Sequence, residues 1–261
     1  GLLVGALIHE LLRAEKVDLD YLVRYTNAPW LVIRDAGAAD DGLIARGENG
    51  KPLAFDKRSG VIVDATRIDI APALVGAFEL ADGRTAVPAF RLLAERFLTE
   101  EYSPDTAAVG TGIPAATIRR LAAELAEAAF EQAIELDIPW TDWAGRRHAT
   151  TTGRPVSMHA MRGISAHANG FQTCRLIHLL QILLGSIDCP GGFRYKPPFP
   201  RPTPPPNRPA GKAGTVRPMT PLSGAPLGFP QGPEDLLVDA KGRPQRIDKA
   251  YSWDAPIAAH G

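Results

Sequence analysis

The stretch Arg162-Gly163-Ile164-Ser165-Ala166-His167-Ala168-Asn169-Gly170-Phe171-Gln172-Thr173 holds the densest set of groups able to do chemistry. It reads as the join between a strand and a helix. Asn169 stands where an N-cap belongs, and Gln172 follows three residues later as in a capping box. The amides of Gly170, Phe171 and Gln172 then lack partners inside the helix and face any nearby anion, helped by the helix dipole. Gly163 and Gly170 permit close backbone approach, while Arg162, His167 and Arg175 bring positive or proton-bearing groups. That set suits a phosphate or a polar heterocycle. Ordinary capping beside a satisfied histidine accounts for the same spacing, and on spacing alone it is the simpler reading.

Other chemistries find less support. His148, His159 and His167 are not at metal-ligand spacing, and no Glu stands beside them as in a zinc helix. There is no Gly-x-Ser-x-Gly elbow and no Walker loop. Gly110-Thr111-Gly112-Ile113-Pro114 lacks the third glycine of a dinucleotide fingerprint, so it reads as the turn opening a helix. The two cysteines are too few for a disulfide framework, an iron-sulfur cluster or a structural zinc, and Cys174 reads as a small buried helix residue. Lys+Arg 29 balance Asp+Glu 29, which leaves no electrostatic footprint for nucleic acid or an anionic membrane. The apolar run over residues 1–8 is too short to span a bilayer and lacks a basic leader.

These groups need elements to hold them. Leu3, Leu7, Leu11 and Leu12 recur at helical spacing over residues 1–16. Asp18 caps a second short helix ending near Tyr25. Short apolar runs follow, Leu31-Val32-Ile33 and Gly60-Val61-Ile62-Val63, with hairpin-type turns at Asn49-Gly50 and Asp82-Gly83. Helical spacing returns over 88–100, with Phe90, Leu93, Ala94 and Phe97 on one face. It continues over 114–129, with proline at the first position and Ile118, Leu121, Ala122 and Leu125 as the stripe. A further helix spans about 170–184 and ends at Gly185, a left-handed cap. Thirteen prolines between Pro197 and Pro233 exclude a helix or a central strand there. That segment reads as a linker or polyproline arm, or as an irregular arm crossing another domain or subunit.

Thr111-Gly112-Ile113-Pro114 with Ile118, Leu121 and Ala122 resembles a helix entry of the molybdopterin oxidoreductases of the DMSO reductase family. So does Gly163-Ile164-Ser165-Ala166-His167-Ala168-Asn169-Gly170, followed by Thr173, Arg175, Leu180, Leu184-Gly185-Ser186-Ile187-Asp188 and Pro190-Gly191-Gly192. Asp18, Tyr21, Leu22 and Tyr25-Thr26 resemble the family's opening passage. Together these cover much of residues 1–30 and nearly all of 105–195. Trp140-Thr141-Asp142, Gly153-Arg154-Pro155 and Phe193-Arg194-Tyr195-Lys196-Pro197 look most like large subunits of sulfur-oxyanion enzymes, quinone-linked cytoplasmic sulfite dehydrogenases foremost. Tetrathionate, thiosulfate and polysulfide reductases and phenylacetyl-CoA oxidoreductase are neighbours.

The resemblance implies an α/β fold: a pterin-dinucleotide-binding lobe over 105–196, flanking helices and a β-rich insertion within 1–104, and an irregular proline-rich arm over 197–261. It implies molybdenum held by two molybdopterin guanine dinucleotides, oxygen-atom transfer, and electrons leaving through iron-sulfur clusters. The implied partners are an iron-sulfur electron-transfer subunit, a membrane anchor subunit, and a small oxyanion as substrate, with a cytoplasmic location at the inner membrane. The implied cofactor residues are Arg162, Gly163, His167, Asn169, Gly170, Gln172, Thr173, Arg175, Gly191 and Gly192. His167 and Arg194 are implied at the reacting centre, Arg194 drawing an oxyanion through its fork of donors. The family's four-cysteine [4Fe–4S] motif, a molybdenum ligand and the C-terminal domain have no counterpart here. The family's Gln-His pair is Ala166-His167, and residues 35–88 match nothing. The chain is thus expected to be an internal or truncated segment that does not turn over alone. The rivals are a non-catalytic module of the same fold and a plain dinucleotide dehydrogenase, which the incomplete glycine fingerprint disfavours.

Overall fold

Apolar side chains at helical spacing bring the first helix, α1 (Leu2–Arg13), to the centre of the molecule, where Ala6, Ile8 and Leu11 are fully buried. The computed structural model describes residues 1–160 and 162–193. Around α1 pack α3 (Ala89–Phe97), α4 (Pro104–Thr111), α5 (Ala115–Ala126) and α7 (Gly170–Leu183). Phe90, Phe97, Ile118, Ala122, Leu180, Leu183 and Leu184 close this core. The buried polar ring of His9 hydrogen-bonds the Phe97 carbonyl at 2.9 Å, tying α1 to the end of α3.

Asp18 starts α2 (Leu19–Tyr25) as expected, its carboxylate accepting the Tyr21 N–H at 2.9 Å. The glycine-rich 110–114 stretch is the turn that opens α5, as expected, and it does more than that. It ends α4, with Gly112 in the left-handed region, and Pro114 is the N-cap of α5 rather than its first residue. The sequence reading missed α4 because its stripe is short: only Pro104 and Ala107 are buried. After α5 a single π turn, Glu127–Glu131, leads into the strands that follow.

Among the described residues, the pairings between strands are antiparallel, and one isolated bridge, Ile187 to Phe193, is parallel. β1 (Leu31–Arg34) pairs with β5 (Thr85–Pro88), which also pairs with β4 (Phe78–Glu79). β2 (Leu53–Asp56) forms a hairpin with β3 (Val61–Asp64). Gly50 and Gly83 occupy the expected Asn-Gly and Asp-Gly turns with φ of 75° and 83°. Leu31, Ile33, Ala45, Leu80 and Ala86 form a second, smaller core beneath these strands. β6 (Ile134–Leu136) pairs with β9 (Thr151–Gly153), and β7 (Trp140–Thr141) with β8 (Arg147–His148).

The strand expected to lead into 162–173 does not form: residues 154–160 carry no regular element after β9, and the 162–173 stretch itself begins as a helical turn, α6 (Arg162–Ser165). A strand there needs a neighbour for its N–H and C=O groups. None of the described strands pairs with this stretch, so local helical bonds satisfy it instead. No helix among the described residues is long and apolar enough to cross a membrane. The proline-rich arm expected at 197–261 lies outside the described residues.

Candidate functional site

Two surfaces hold the groups of chemical interest. The first is the α6–α7 turn. His167 lies on it, exposed, and Asn169 is the N-cap residue of α7. The capping box, however, does not form. Asn169 sits at φ −103°, ψ 15° and its side chain makes no cap bond, while Gln172 Oε1 instead accepts from Arg175 at 3.0 Å. The Gly170 N–H is already taken by the His167 carbonyl at 2.8 Å. The Phe171 and Gln172 N–H groups find no backbone acceptor among the described residues, as is usual for the first turn of a helix. Arg175 lies beside them, its guanidinium 5.9 Å from the Phe171 ring centre, and that ring is 70% exposed. Thr173 turns away, its hydroxyl donating to the Asn169 carbonyl at 3.1 Å.

The glycines here divide. A Cβ on Gly170 would stand 2.3 Å from the Ser165 carbonyl oxygen, so the close approach it permits is between α7 and α6 of the same chain. Gly163 has open space around it. Gly191 and Gly192 belong to the turn after α7. There a Cβ on Gly192 would meet the Ser186 carbonyl at 2.1 Å, and one on Gly191 would meet Pro155 at 2.9 Å. The sequence assigned these glycines to a ligand, whereas their tight contacts are with this chain. The turn closes through Phe193 N–H to the Ser186 carbonyl at 2.8 Å and holds the Phe193 ring beside His159 and His178. Arg194 and the Arg162 side chain lie outside the described residues.

The second surface was not anticipated. A cleft of about 1010 Å³ opens between α2, the β7–β8 hairpin and the turn after α7. Arg154 organises its floor. Its guanidinium donates to Asp18 at 2.6 and 2.8 Å and to the Ala129 carbonyl at 2.8 Å, and it stacks 4.7 Å over the Phe130 ring. Gly185, at φ +65°, passes so close that a Cβ there would meet the Asp18 carboxylate at 2.6 Å. Asp142 organises the wall, accepting from the Ala144 and Arg146 N–H groups, the Arg146 side chain and His148. Burial pushes its carboxyl upward, but the His148 and Arg146 hydrogen bonds outweigh it and hold the group at about 2. His148 in turn stacks on Trp140 at 4.5 Å. Burial, aided by Asp188, pushes the Tyr21 phenol up to about 12, and burial also raises the Cys189 thiol. Cys174, expected in the core, is only half-buried.

The sequence named Arg154 and Asp142 only within the runs that carry the resemblance and gave them no role, because their partners lie elsewhere in the chain or in an unremarkable hairpin. No local motif couples Arg154 to a residue 136 positions away. Among the described residues no group of three or more His, Cys, Asp or Glu side chains is placed to hold a metal ion.

No protein-family model matches the chain. The chain is similar to a subunit of the sulfite dehydrogenase of Allochromatium vinosum, with 48% identity over 270 residues. The alignment takes in 100% of this chain and 28% of the relative, so the chain spans somewhat more than a quarter of that protein's length. The similarity to that subunit runs along the whole of this chain.

Proposed function

We propose that this chain is a section of the molybdenum-bearing catalytic subunit of an oxidoreductase that converts sulfite to sulfate. The observation that carries the reading is the 48% identity to a sulfite dehydrogenase subunit, maintained over the full chain. The reaction adds an oxygen from water to sulfite and releases two electrons and two protons. A molybdenum bis(molybdopterin guanine dinucleotide), when bound, supplies oxygen-atom transfer and accepts those electrons.

The donors at the start of α7 fit a pyrophosphate-bearing group. The Phe171 and Gln172 amides have no backbone acceptor within the described chain, and Arg175 stands beside them. In this reading those three groups hold phosphate oxygens, and the exposed Asn169 side chain offers both a donor and an acceptor to a heterocycle. His167 stands on the exposed turn that leads into α7, and Gly170 permits the close packing of α7 on α6 beside it. A [4Fe–4S] cluster, an iron-sulfur subunit and a membrane anchor subunit on the cytoplasmic side would carry the electrons onward. The relative's description as a subunit supports assembly into a complex.

The test is to purify, from its native host, the polypeptide that carries this sequence. Sulfite-dependent reduction of ferricyanide and molybdenum by elemental analysis are then measured. Sulfite turnover with bound molybdenum is expected. Turnover of tetrathionate, thiosulfate, polysulfide or phenylacetyl-CoA in place of sulfite would replace the proposed substrate, and absence of molybdenum would sink the cofactor.

A further inference from the structure

A separate cleft of about 560 Å³ meets the first at Arg24 and Tyr25. Three aromatic rings line it: Tyr25 at the end of α2, Trp30 before β1, and Trp143 in the β7–β8 turn. Its charged lining consists of Arg24, Arg67 and Arg146, with no carboxylate among the described residues that face it. That composition is uneven for a chain whose charges balance overall.

The rings are held in place. Trp143 is 67% exposed, yet its indole N–H donates to the Arg24 carbonyl at 3.2 Å, which pins the ring at the end of α2. An exposed, fixed indole offers a stacking face, and no ring or guanidinium among the described residues stacks on it. The guanidinium groups differ in what they have left to give. Arg67 is committed to Asp69 through two nitrogens and contributes charge only. Arg146 gives its Nε to Asp142, which leaves its two terminal nitrogens without acceptors among the described residues. Arg24 has one ion pair, with Asp20 at 3.5 Å. Burial and Asp142 raise the Tyr25 phenol, and Arg24 and Arg146 act against them.

We propose that this cleft binds a planar heteroaromatic ring carrying a phosphate, a ligand of the nucleoside monophosphate class. The ring stacks on Trp143, and the phosphate takes donors from Arg146 and Arg24. A tetrahedral phosphate can use two guanidinium forks from different elements, whereas a planar carboxylate is filled by one. The volume lies within the roughly 300–1,000 Å³ of small-molecule sites. This site stands whether or not the chain serves sulfite oxidation.

The 261-residue chain is titrated with AMP, adenosine and inorganic phosphate by calorimetry, with tryptophan fluorescence as a second readout. Saturable AMP binding is expected, with adenosine and phosphate each at least about tenfold weaker, because stacking on one ring accounts for that much. Trp143→Ala should weaken AMP at least about tenfold with unchanged circular dichroism. Arg146→Met also loses its bond to Asp142, so Ile68→Glu is the companion variant. Ile68 is half-exposed on the loop that follows β3, and a carboxylate there repels the phosphate while disturbing no hydrogen bond. No saturable AMP binding, phosphate binding as tightly as AMP, or full AMP affinity in both Trp143→Ala and Ile68→Glu would overturn the assignment.

Discussion

Asp142 shows how much one buried carboxylate can organise. Two backbone N–H groups, one guanidinium and one imidazole converge on it and fix the β7–β8 hairpin on which Trp143 stands. Its carboxyl is held at about 2 against an ordinary 3.8. Because the folded value is the lower one, the ionised group stabilises the fold above about pH 4, and that contribution fades as pH falls toward 2. Urea unfolding of wild type and Asp142→Asn should therefore differ most above pH 4 and converge near pH 2. A gap that stays constant over this range would show that the charge takes no part. Gly170 and Gly163 make the other contrast at this scale. Gly170→Ala forces a methyl against the Ser165 carbonyl and should cost about 1–3 kcal/mol. Gly163→Ala meets open space within a helical turn and should be neutral or stabilising by about 0.5–1 kcal/mol. Denaturant midpoints of the two variants would settle the sign.

Arg154 joins three elements that the sequence keeps far apart. It reaches the N-cap carboxylate of α2, the carbonyl of Ala129 in the π turn and the face of Phe130, from its own place after β9. Both partners of the Arg154–Asp18 pair are largely withdrawn from water, at 19% and 13% side-chain exposure. Removing one member of such a pair leaves the other uncompensated, so Arg154→Met should destabilise by about 3–5 kcal/mol. Asp18→Asn keeps an acceptor for the Tyr21 N–H but loses the charge. A double-mutant cycle between the two should then show a large coupling, and additive losses would mean that each residue acts through other contacts. Gly185 extends the same joint. Its left-handed backbone and the adjacent Asp18 carboxylate leave no room for a side chain, so Gly185→Ala should also loosen the end of α7.

At the largest scale, the described residues rest on two cores of unequal size. Ala6, Ile8, Leu11, Ile118, Leu180 and Leu183 form the larger one, which ties the start of the described chain to its end. Leu31, Ile33, Ala45, Leu80 and Ala86 form the smaller one beneath β1, β4 and β5. Leu11→Ala should cost about 2–5 kcal/mol and raise hydrogen exchange throughout α5 and α7. Ile33→Ala should raise exchange chiefly in the β1 and β5 amides. Equal loss of protection across both regions in each variant would show that the two cores unfold as one.

Local periodicity and short-range chemistry were sufficient for much of this molecule. The leucines of α1, the stripe of α5, the Asp18 cap and the Asn49-Gly50 and Asp82-Gly83 turns are written within a few residues of where they act. The sequence also placed His167 on an exposed turn and Asn169 at the start of α7, since a cap position depends on the next four residues. What it could not decide were the partners. Gly170 and Gly192 read as space for a ligand, yet the space faces this chain's own carbonyls, because only the packing of α6 on α7 and the closure of the 186–193 turn fix what a missing Cβ would have met. The stretch before His167, read as the end of a strand, pairs with none of the described strands and closes into a helical turn. The Arg154 joint and the cleft beside Trp143 bring together residues from distant parts of the chain. No spacing rule spans such distances, and the tertiary fold alone brought these groups together.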